Sequence, residues 1–139
     1  MSDAIWALRP SLDQLNRSAH TMIGHLGIEV TELGDDFIRA RMPVDQRTVQ
    51  PAGLLHGGAS VALAETLGSM GAMLCVDPAR FQVVGLEINA NHVRGVRHGW
   101  VTGTARPLHR GSRTIVVETD VFDEAGKHVA RVTQTQAVL

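Results

Sequence analysis

Glu65 is the residue whose type and surroundings best suit it to chemistry. It is the only acid or base, apart from the thiol of Cys75, between Gly57 and Val76, where every other side chain is small, apolar or an uncharged hydroxyl. Burying an unpaired carboxylate costs several kcal/mol, so such a group usually has partners. Ser69, four residues later, would place a hydroxyl on the same face of a helix. Two interpretations remain: a glutamate that is exposed or structurally satisfied, and a carboxylate held in an apolar cleft as nucleophile or general base.

A glycine-containing segment leads into this stretch, since residues 50–58 read Gln-Pro-Ala-Gly-Leu-Leu-His-Gly-Gly. The first N–H groups of a helix lack intrahelical partners and lie at the positive end of its dipole. Gly57 and Gly58 carry no side chain there, so a ligand oxygen could approach the backbone directly. One such donor contributes roughly 3–4 kcal/mol to an oxyanionic transition state. The alternative is that both glycines serve only close packing of helix against sheet.

The stretch that carries Glu65 is predicted to be one helix over residues 57–76, ended by Asp77 and Pro78. At 1.5 Å per residue it would be roughly 30 Å long. Because it is small or apolar on every side, we expect it to be buried all round and wrapped by a sheet. A membrane span is the alternative for this length, but Glu65, four glycines and several hydroxyls oppose it.

Short segments with period-two alternation predict six strands around this helix. They cover residues 28–33, 38–44, 84–91, 100–105, 115–121 and 129–139. In the third, Val84, Leu86, Ile88 and Ala90 are predicted to share one face. Residues 11–26 predict one or two short amphipathic helices with Ser11 as N-cap, and residues 34–36 predict a turn that makes the first two strands a hairpin. We therefore expect an α+β fold with a mostly antiparallel sheet, which self-associates to cover its open face or edge.

Length and composition narrow the class of protein. The 139 residues predict a single domain over residues 1–139. A net charge of −1 gives no reason to expect nucleic acid or a membrane as partner. The residues from Met1 to Trp6 lack the basic and apolar regions of a secretory signal, so we expect a soluble, cytoplasmic protein.

Several kinds of site have no support in the sequence. One cysteine excludes a disulfide framework and a multi-thiolate metal site, and we interpret Cys75 as a core residue. The seven histidines form no helical His-x-x-x-His motif, so no metal site is expected. Neither a P-loop nor a Gly-x-Gly-x-x-Gly fingerprint occurs, which argues against nucleotide hydrolysis and nicotinamide chemistry.

The chain resembles the hotdog-fold acyl-CoA thioesterases. The resemblance is carried by Leu-Leu-His-Gly-Gly-Ala-Ser at residues 54–60 and Ala-Glu-Thr-Leu-Gly-Ser at residues 64–69. It extends to residues 33–36, 42–45, 84–92, 107–109 and 121–124. The nearest branch hydrolyses aromatic acyl-CoA and aryl carrier-protein thioesters and includes the 1,4-dihydroxy-2-naphthoyl-CoA hydrolases. The resemblance implies a hotdog fold, with a curved sheet around one long central helix, and no cofactor.

The resemblance also implies a role for each catalytic candidate. Glu65 matches the carboxylate that attacks the thioester carbonyl or activates water, and the N–H of Gly57 matches the oxyanion donor. His56 and Gln50 match groups that position the thioester and the water, and Ser69 matches a helper beside the carboxylate. The site would lie between two subunits, with Glu65 of one facing Gly57 of the other, and two dimers would form a homotetramer.

Coenzyme A carries phosphates that arginine can bind as a bidentate fork. The resemblance implies that three segments line the path of its nucleotide and pantetheine. They are Gly85; His92, Val93, Arg94 and Gly95; and His109, Arg110, Gly111, Ser112, Arg113 and Thr114. Ala52 departs from the family pattern, because close relatives often carry a bulky aromatic residue there, and this leaves the width of the acyl pocket open.

Two other functions remain as alternatives. A hotdog dehydratase of 3-hydroxyacyl thioesters needs a histidine and an acid that converge on the β-carbon, and His56 with Glu65 leaves this open. The Gly-Gly pair after His56 favours hydrolysis. A non-catalytic acyl-CoA sensor usually needs an output domain, for which a hotdog fold of 139 residues leaves no room.

Overall fold

The computed structural model describes residues 3–139, which form one six-stranded antiparallel sheet against one long helix. The strands are β1 (Glu29–Leu33), β2 (Ile38–Val44), β3 (Val83–His92), β4 (Gly99–Arg110), β5 (Thr114–Asp123) and β6 (His128–Val138). Their spatial order is β1-β2-β4-β5-β6-β3. This confirms the predicted α+β class, the hotdog arrangement and the hairpin of β1 with β2.

The fourth strand is longer than the sequence predicts. β4 does not stop near Ala105 but continues to Arg110, through Pro107, which pairs with Val117. A bulge follows between Pro107 and His109. Proline donates no ladder hydrogen bond and is usual only at edges and bulges, which is why the pattern did not reveal this extension.

Three helices accompany the sheet in the described part of the chain. Two single turns, α1 (Leu12–Leu15) and α2 (Met22–His25), precede β1, and α3 (Gly57–Leu74) lies between β2 and β3. Ser11 is confirmed as an N-cap, because its hydroxyl accepts the N–H of Gln14 at 3.2 Å. No helix within residues 3–139 is long and apolar enough to cross a membrane.

The expectation that α3 is buried on every side is wrong. The buried residues recur every three or four positions and face the sheet: Ala59, Ser60, Leu63, Ala64, Leu67, Gly68, Gly71, Ala72 and Leu74. Glu65 and Met73 are exposed on the other side. That side is also rich in small and apolar residues, so composition alone could not distinguish it from the buried face.

β3 is an edge strand with exposed apolar residues. Val84 and Leu86 are 43% and 63% exposed, whereas Ile88 is half-buried. Gly85 pairs with Gln136 and Glu87 with Thr135, so Leu86 is an extra residue in a bulge. The bulge places Val84 and Ile88 on opposite faces, which corrects the predicted shared face. The outer edge of β3 presents backbone N–H and C=O groups that a further strand could pair with.

Gly68 and Gly71 test how closely α3 packs, because both are buried in the middle of the helix. A Cβ on Gly71 would lie 3.6 Å from Cγ2 of Ile38, an ordinary contact. Gly71→Ala should therefore raise the free energy of unfolding by about 0.5–1 kcal/mol through helix propensity. A Cβ on Gly68 would overlap the buried amide of Gln134. Gly68→Ala should therefore lower the free energy of unfolding by about 1–3 kcal/mol. Urea denaturation measures both, and equal stabilisation by the two substitutions would contradict this packing.

Candidate functional site

His56 forms the N-cap of α3 and thereby fixes the start of the helix. Its Nδ1 accepts the N–H of Gly58 at 2.8 Å, and its own N–H donates to the carbonyl of Thr48 at 2.8 Å. An imidazole nitrogen that accepts a hydrogen bond carries no proton, so the proton of the neutral ring is on Nε2. The ring is exposed, and it therefore offers a donor at the helix start.

Gly57 supplies the open backbone donor at this end of α3. Gly58 already gives its N–H to His56, whereas the N–H of Gly57 has no acceptor among residues 3–139. A Cβ on Gly57 would stand 2.8 Å from Nε2 of His92. The glycine lets the His92 ring approach closely, which confirms the packing role considered from the sequence. Its N–H is left without an acceptor, and binding of an anion there stays a prediction.

A cavity of about 440 Å³ opens beside this donor. It brings together the predicted residues Gln50, Gly57 and 92–95. It is lined by Gln50, Leu54, Leu55, Gly57, Ser60, His92, Val93, Arg94, Gly95 and Val129. The side-chain oxygen of Gln50 accepts the N–H of Ala52, which fixes the amide at the mouth. Ala52 itself is exposed, and its carbonyl accepts a hydrogen bond from Arg97 at 3.5 Å.

Glu65 lies two helical turns further along α3, on its uncovered face. The sequence predicts a cleft around this carboxylate, but in the single chain the residue is exposed. Gly85 on β3 is close by, since a Cβ there would lie 3.7 Å from Oε1 of Glu65. Ser69 shares the groove with Glu65, which confirms the predicted common face.

Glu65 borders two cavities. An apolar groove of about 440 Å³ runs between α3 and the α2 region and is lined by Ser18, Met22, Ile23, Leu26, Ile28, Ala62, Glu65, Thr66, Ser69, Met70 and Met73. A smaller cavity of about 170 Å³ lies towards β3 and is lined by Glu65, Gly85, Leu86, Glu87, Ile88, Gln134 and Gln136. The carboxylate therefore borders an apolar groove on one side and, on the other, a recess that contains two buried amides.

The two halves of the predicted catalytic set are apart within one chain. Gly57 and Glu65 are eight residues apart on α3, which is about 12 Å along the helix axis. A reacting carbonyl must lie about 3 Å from both the attacking group and the oxyanion donor. Within one chain, a carbonyl bound at the N–H of Gly57 would therefore lie out of direct contact with Glu65, and the two groups line different cavities.

The two basic segments are also separated. Residues 92–95 lie near the start of β4, whereas residues 109–114 form the hairpin at its end. At roughly 3.3 Å per residue the ends of this strand are about 35 Å apart. The hairpin lies near the C-terminal end of α3. There Arg110 donates to the carbonyl of Ile5 at 3.2 Å, and its positive charge lowers the pKa of the Cys75 thiol, against the larger effect of burial.

Two residues near Glu65 were missed by the sequence analysis, namely Gln134 and Gln136 on β6. Both are buried and line the smaller cavity. The sequence pattern that could have revealed them is the period-two alternation of β6, which places them on the same face as the buried Ala130 and Val132. A polar residue on an apolar face of a strand needs a hydrogen-bonding partner, and the long helix is the element that this face meets.

No group of three or more His, Cys, Asp or Glu side chains within residues 3–139 is arranged to hold a metal ion. Cys75 is half-buried after the end of α3, and burial raises the pKa of its thiol above the ordinary value, more than nearby Arg110 lowers it. A raised pKa leaves less thiolate at neutral pH, which makes Cys75 a poor nucleophile.

A family model described as the thioesterase superfamily matches residues 52–130. The chain belongs to the thioesterase superfamily. It is 49% identical over 136 residues to a 1,4-dihydroxy-2-naphthoyl-CoA hydrolase of Escherichia coli, an alignment that covers 97% of this chain and 99% of that protein. This thioesterase is therefore an enzyme of the thioester-hydrolase class.

Solved structures agree with this assignment. The crystal structure of a mutant thioesterase from Pseudomonas aeruginosa superposes with a TM-score of 0.96 at 47% identity, covering 98% of this chain and 99% of the other. A thioesterase from Haemophilus influenzae superposes with a TM-score of 0.94 at 45% identity, covering 97% and 94%. Both similarities extend over the N-terminal turns as well as the sheet and α3.

The thiol of this thioesterase should be dispensable. Because its pKa is raised by burial, we expect Cys75→Ala to retain the wild-type kcat and KM for thioester hydrolysis. Reaction of the native thiol with Ellman's reagent should be slower than that of a free cysteine at the same pH. Loss of turnover in Cys75→Ala with an unchanged melting temperature would mean instead that the thiol takes part in the reaction.

Proposed function

We propose that this thioesterase hydrolyses aromatic acyl-CoA esters in a site built by two copies of the chain, with Glu65 of one facing the N–H of Gly57 of the other. The observation that carries the proposal is the 12 Å that separates these groups along one helix. Two α3 helices side by side and antiparallel would remove that separation. Such a pair has two identical sites related by a two-fold axis.

The edge strand β3 supplies the way to form this pair. Within one chain, Gly85 lies beside Glu65 and His92 lies beside Gly57. If β3 pairs antiparallel with its copy so that Gly85 of one strand is opposite His92 of the other, each Glu65 comes to the other chain's Gly57. The same pairing would use the open backbone groups of the edge and cover Leu86, which is 63% exposed.

The pairing would also assemble the path for coenzyme A. In an antiparallel pair, the end of one β3 meets the beginning of the other. Residues 92–95 of one chain would then lie at the same end of the joined sheet as the hairpin of residues 109–114 of the other. Arg94 with Arg110 and Arg113 would provide guanidinium groups for the phosphates. The tetramer implied by the family resemblance would add a second interface, but the site itself needs only the pair.

The groove between α2 and α3 fits an apolar acyl group. It reaches Glu65 and Ser69 at its polar end and is otherwise lined mainly by apolar side chains, among them Met22, Met70 and Met73. Thioethers make favourable contacts with aromatic rings and adapt to their shape. The relative named as a 1,4-dihydroxy-2-naphthoyl-CoA hydrolase makes this bicyclic aromatic ester the first substrate to test.

In the proposed mechanism, the carbonyl oxygen of the thioester accepts the N–H of Gly57, where the helix dipole favours negative charge. The carboxylate of Glu65 either attacks the carbonyl carbon or takes a proton from a water that attacks it. The tetrahedral intermediate then collapses and the C–S bond breaks. In the water route the protonated Glu65 returns its proton to the leaving sulfur, and in the direct route coenzyme A leaves as a thiolate that takes its proton from the water that later cleaves the anhydride. Attack by Glu65 would give an anhydride, which water cleaves to release the acid.

The dehydratase alternative is less well supported. A histidine that removes a proton from the substrate needs an unprotonated ring nitrogen directed at it. Nδ1 of His56 is occupied by the N–H of Gly58, so Nε2 carries the proton of the neutral ring. His56 is thus set up as a hydrogen-bond donor, which suits a thioester oxygen better than it suits proton abstraction.

Substitution of Glu65 tests the proposed chemistry. Glu65→Gln keeps size and hydrogen bonding but removes the base, so kcat should fall about 100- to 10,000-fold with an unchanged melting temperature. Thiol release should be measured over benzoyl, hydroxybenzoyl, 1,4-dihydroxy-2-naphthoyl and straight-chain CoA esters, with the aromatic esters giving the highest kcat/KM. Near-wild-type turnover by Glu65→Gln would refute the catalytic role, and reaction of long aliphatic esters alone would refute the aromatic assignment.

Mixed dimers test whether the site is shared. Gly57→Pro removes the N–H donor at the first helical position, where proline is tolerated, and His56 at φ −67° and ψ 130° suits a residue before proline. Gly57→Ala is the matched control, because it places a Cβ against His92 but keeps the N–H. The kcat of Gly57→Pro should fall about 100- to 1,000-fold. The kcat of Gly57→Ala should fall far less, because the N–H donor is kept.

Chains carrying Glu65→Gln and Gly57→Pro should restore activity when they are co-expressed. Each mixed pair would hold one site with both wild-type groups, so random pairing should give about a quarter of the wild-type rate. A mixture that stays as inactive as its two parents, although mass spectrometry shows mixed pairs, would rule out the shared site.

A further inference from the structure

Two buried glutamines, Gln134 and Gln136, lie directly beneath the candidate carboxylate. Each is 1% exposed, although glutamine is mostly a surface residue. Both are on the face of β6 that packs against α3, and both line the small cavity beside Glu65. Burying a primary amide without partners costs about 1–3 kcal/mol, so their contacts with the helix explain why they are accommodated there.

The two amides make different contacts. Gln136 donates from Nε2 to the hydroxyl oxygen of Ser69 at 3.4 Å. Gln134 donates from Nε2 to the backbone carbonyl of Glu65 at 3.4 Å, and its own Oε1 has no partner in the described residues. Gln134 therefore holds the backbone of α3, whereas Gln136 reaches a side chain of the candidate site.

The contact with Gln136 determines what Ser69 can do. A serine hydroxyl has one proton to donate and two lone pairs that accept. Because one lone pair of Ser69 accepts from Gln136, the proton of the hydroxyl is not needed for that contact and is free for another acceptor. Glu65 precedes Ser69 by four residues on the same helical face and shares the groove with it, so its carboxylate is the candidate acceptor.

Gly85 leaves the space beside Gln136 and Glu65 free of a side chain. A Cβ on Gly85 would lie 3.7 Å from Oε1 of Gln136 and 3.7 Å from Oε1 of Glu65. The amide and the carboxylate thus face the same side-chain-free part of β3. Because residue 85 is a glycine, no side chain at that position lies between these two groups and the smaller cavity.

We infer that Gln136 is a positioning residue for hydrolysis: it fixes the hydroxyl of Ser69 as a hydrogen-bond donor towards Glu65 and its water. The inference rests on the proposed function of Glu65. Gln136 does not contact the thioester and acts through Ser69 alone. Its removal should therefore affect the chemical step rather than the binding of the substrate.

The test is a double-mutant cycle between Gln136→Met and Ser69→Ala. Gln136→Met keeps the length of the side chain but removes the donor, and the loss of one hydrogen bond should lower kcat about threefold to tenfold with KM within about twofold. In the Ser69→Ala background, the same substitution should change kcat by less than about twofold. Equal losses in the two backgrounds, or a wild-type kcat for Gln136→Met, would overturn the inference.

Two further variants separate this role from a general effect on the core. Thr119→Val removes a fully buried hydroxyl that lacks a partner in the described residues, and it should keep the wild-type kcat. Gln136→Asn keeps an amide but withdraws it by one methylene from Ser69, so it should reproduce the loss of kcat if Gln136→Met does not fold. A folded Gln136→Asn with wild-type kcat would also overturn the inference.

The kcat values of Glu65→Gln and Gln136→Met test the proposed function and the role of Gln136 separately. If Glu65→Gln is inactive while Gln136→Met is unaffected, the role of Gln136 is wrong and the proposed function stands. If Glu65→Gln is active, the proposed function itself is wrong.

Discussion

The rise of an α-helix is the constraint on which this structure depends. α3 holds its candidate acid and its free N-terminal donor eight residues apart, and a helix cannot shorten that spacing without breaking its own hydrogen bonds. One carbonyl therefore cannot contact both groups of a single chain. Direct contact of one carbonyl with both groups would need a second helix that runs in the opposite direction.

The single chain also exposes two features that a second chain could cover. The uncovered face of α3 is apolar around Glu65, and the edge strand β3 presents Val84 and Leu86 to solvent. Exposed apolar surface next to an unpaired strand edge is costly for an isolated chain. In the proposed dimer both features would be used, because pairing of the two edges would enclose Glu65 and bring the N–H of Gly57 from the other chain beside it.

The sequence predicted the elements well because each has a strong local signal. Alternation marked the six strands, and small apolar residues after His56 marked α3. The extension of β4 beyond Ala105 was missed because Pro107 resembles a strand end, and the faces of β3 were wrong because a bulge at Leu86 leaves no trace in period-two alternation. Bulges are set by pairing between strands, which a single segment does not reveal.

The site was predicted unevenly for a physical reason. The roles predicted for Gly57, Glu65 and Ser69 follow from helix-end chemistry and helical spacing, which are local, whereas the role predicted for His56 came from the family resemblance. The exposure of Glu65 is not local, because it depends on how far the sheet wraps around α3. Gln134 and Gln136 were missed because their place at the candidate site depends on contacts with a helix about 70 residues earlier in the chain.

A crystal structure with a ketone analogue of an aromatic acyl-CoA, in which a methylene replaces the thioester sulfur, would test the shared site most directly. The ketone oxygen is expected to lie about 2.7–3.1 Å from the backbone nitrogen of Gly57 in one chain. The ketone carbon should lie beside the carboxylate of Glu65 from the other chain of a β3-paired dimer. An analogue held with its ketone away from Gly57, or between groups of a single chain, would contradict the account.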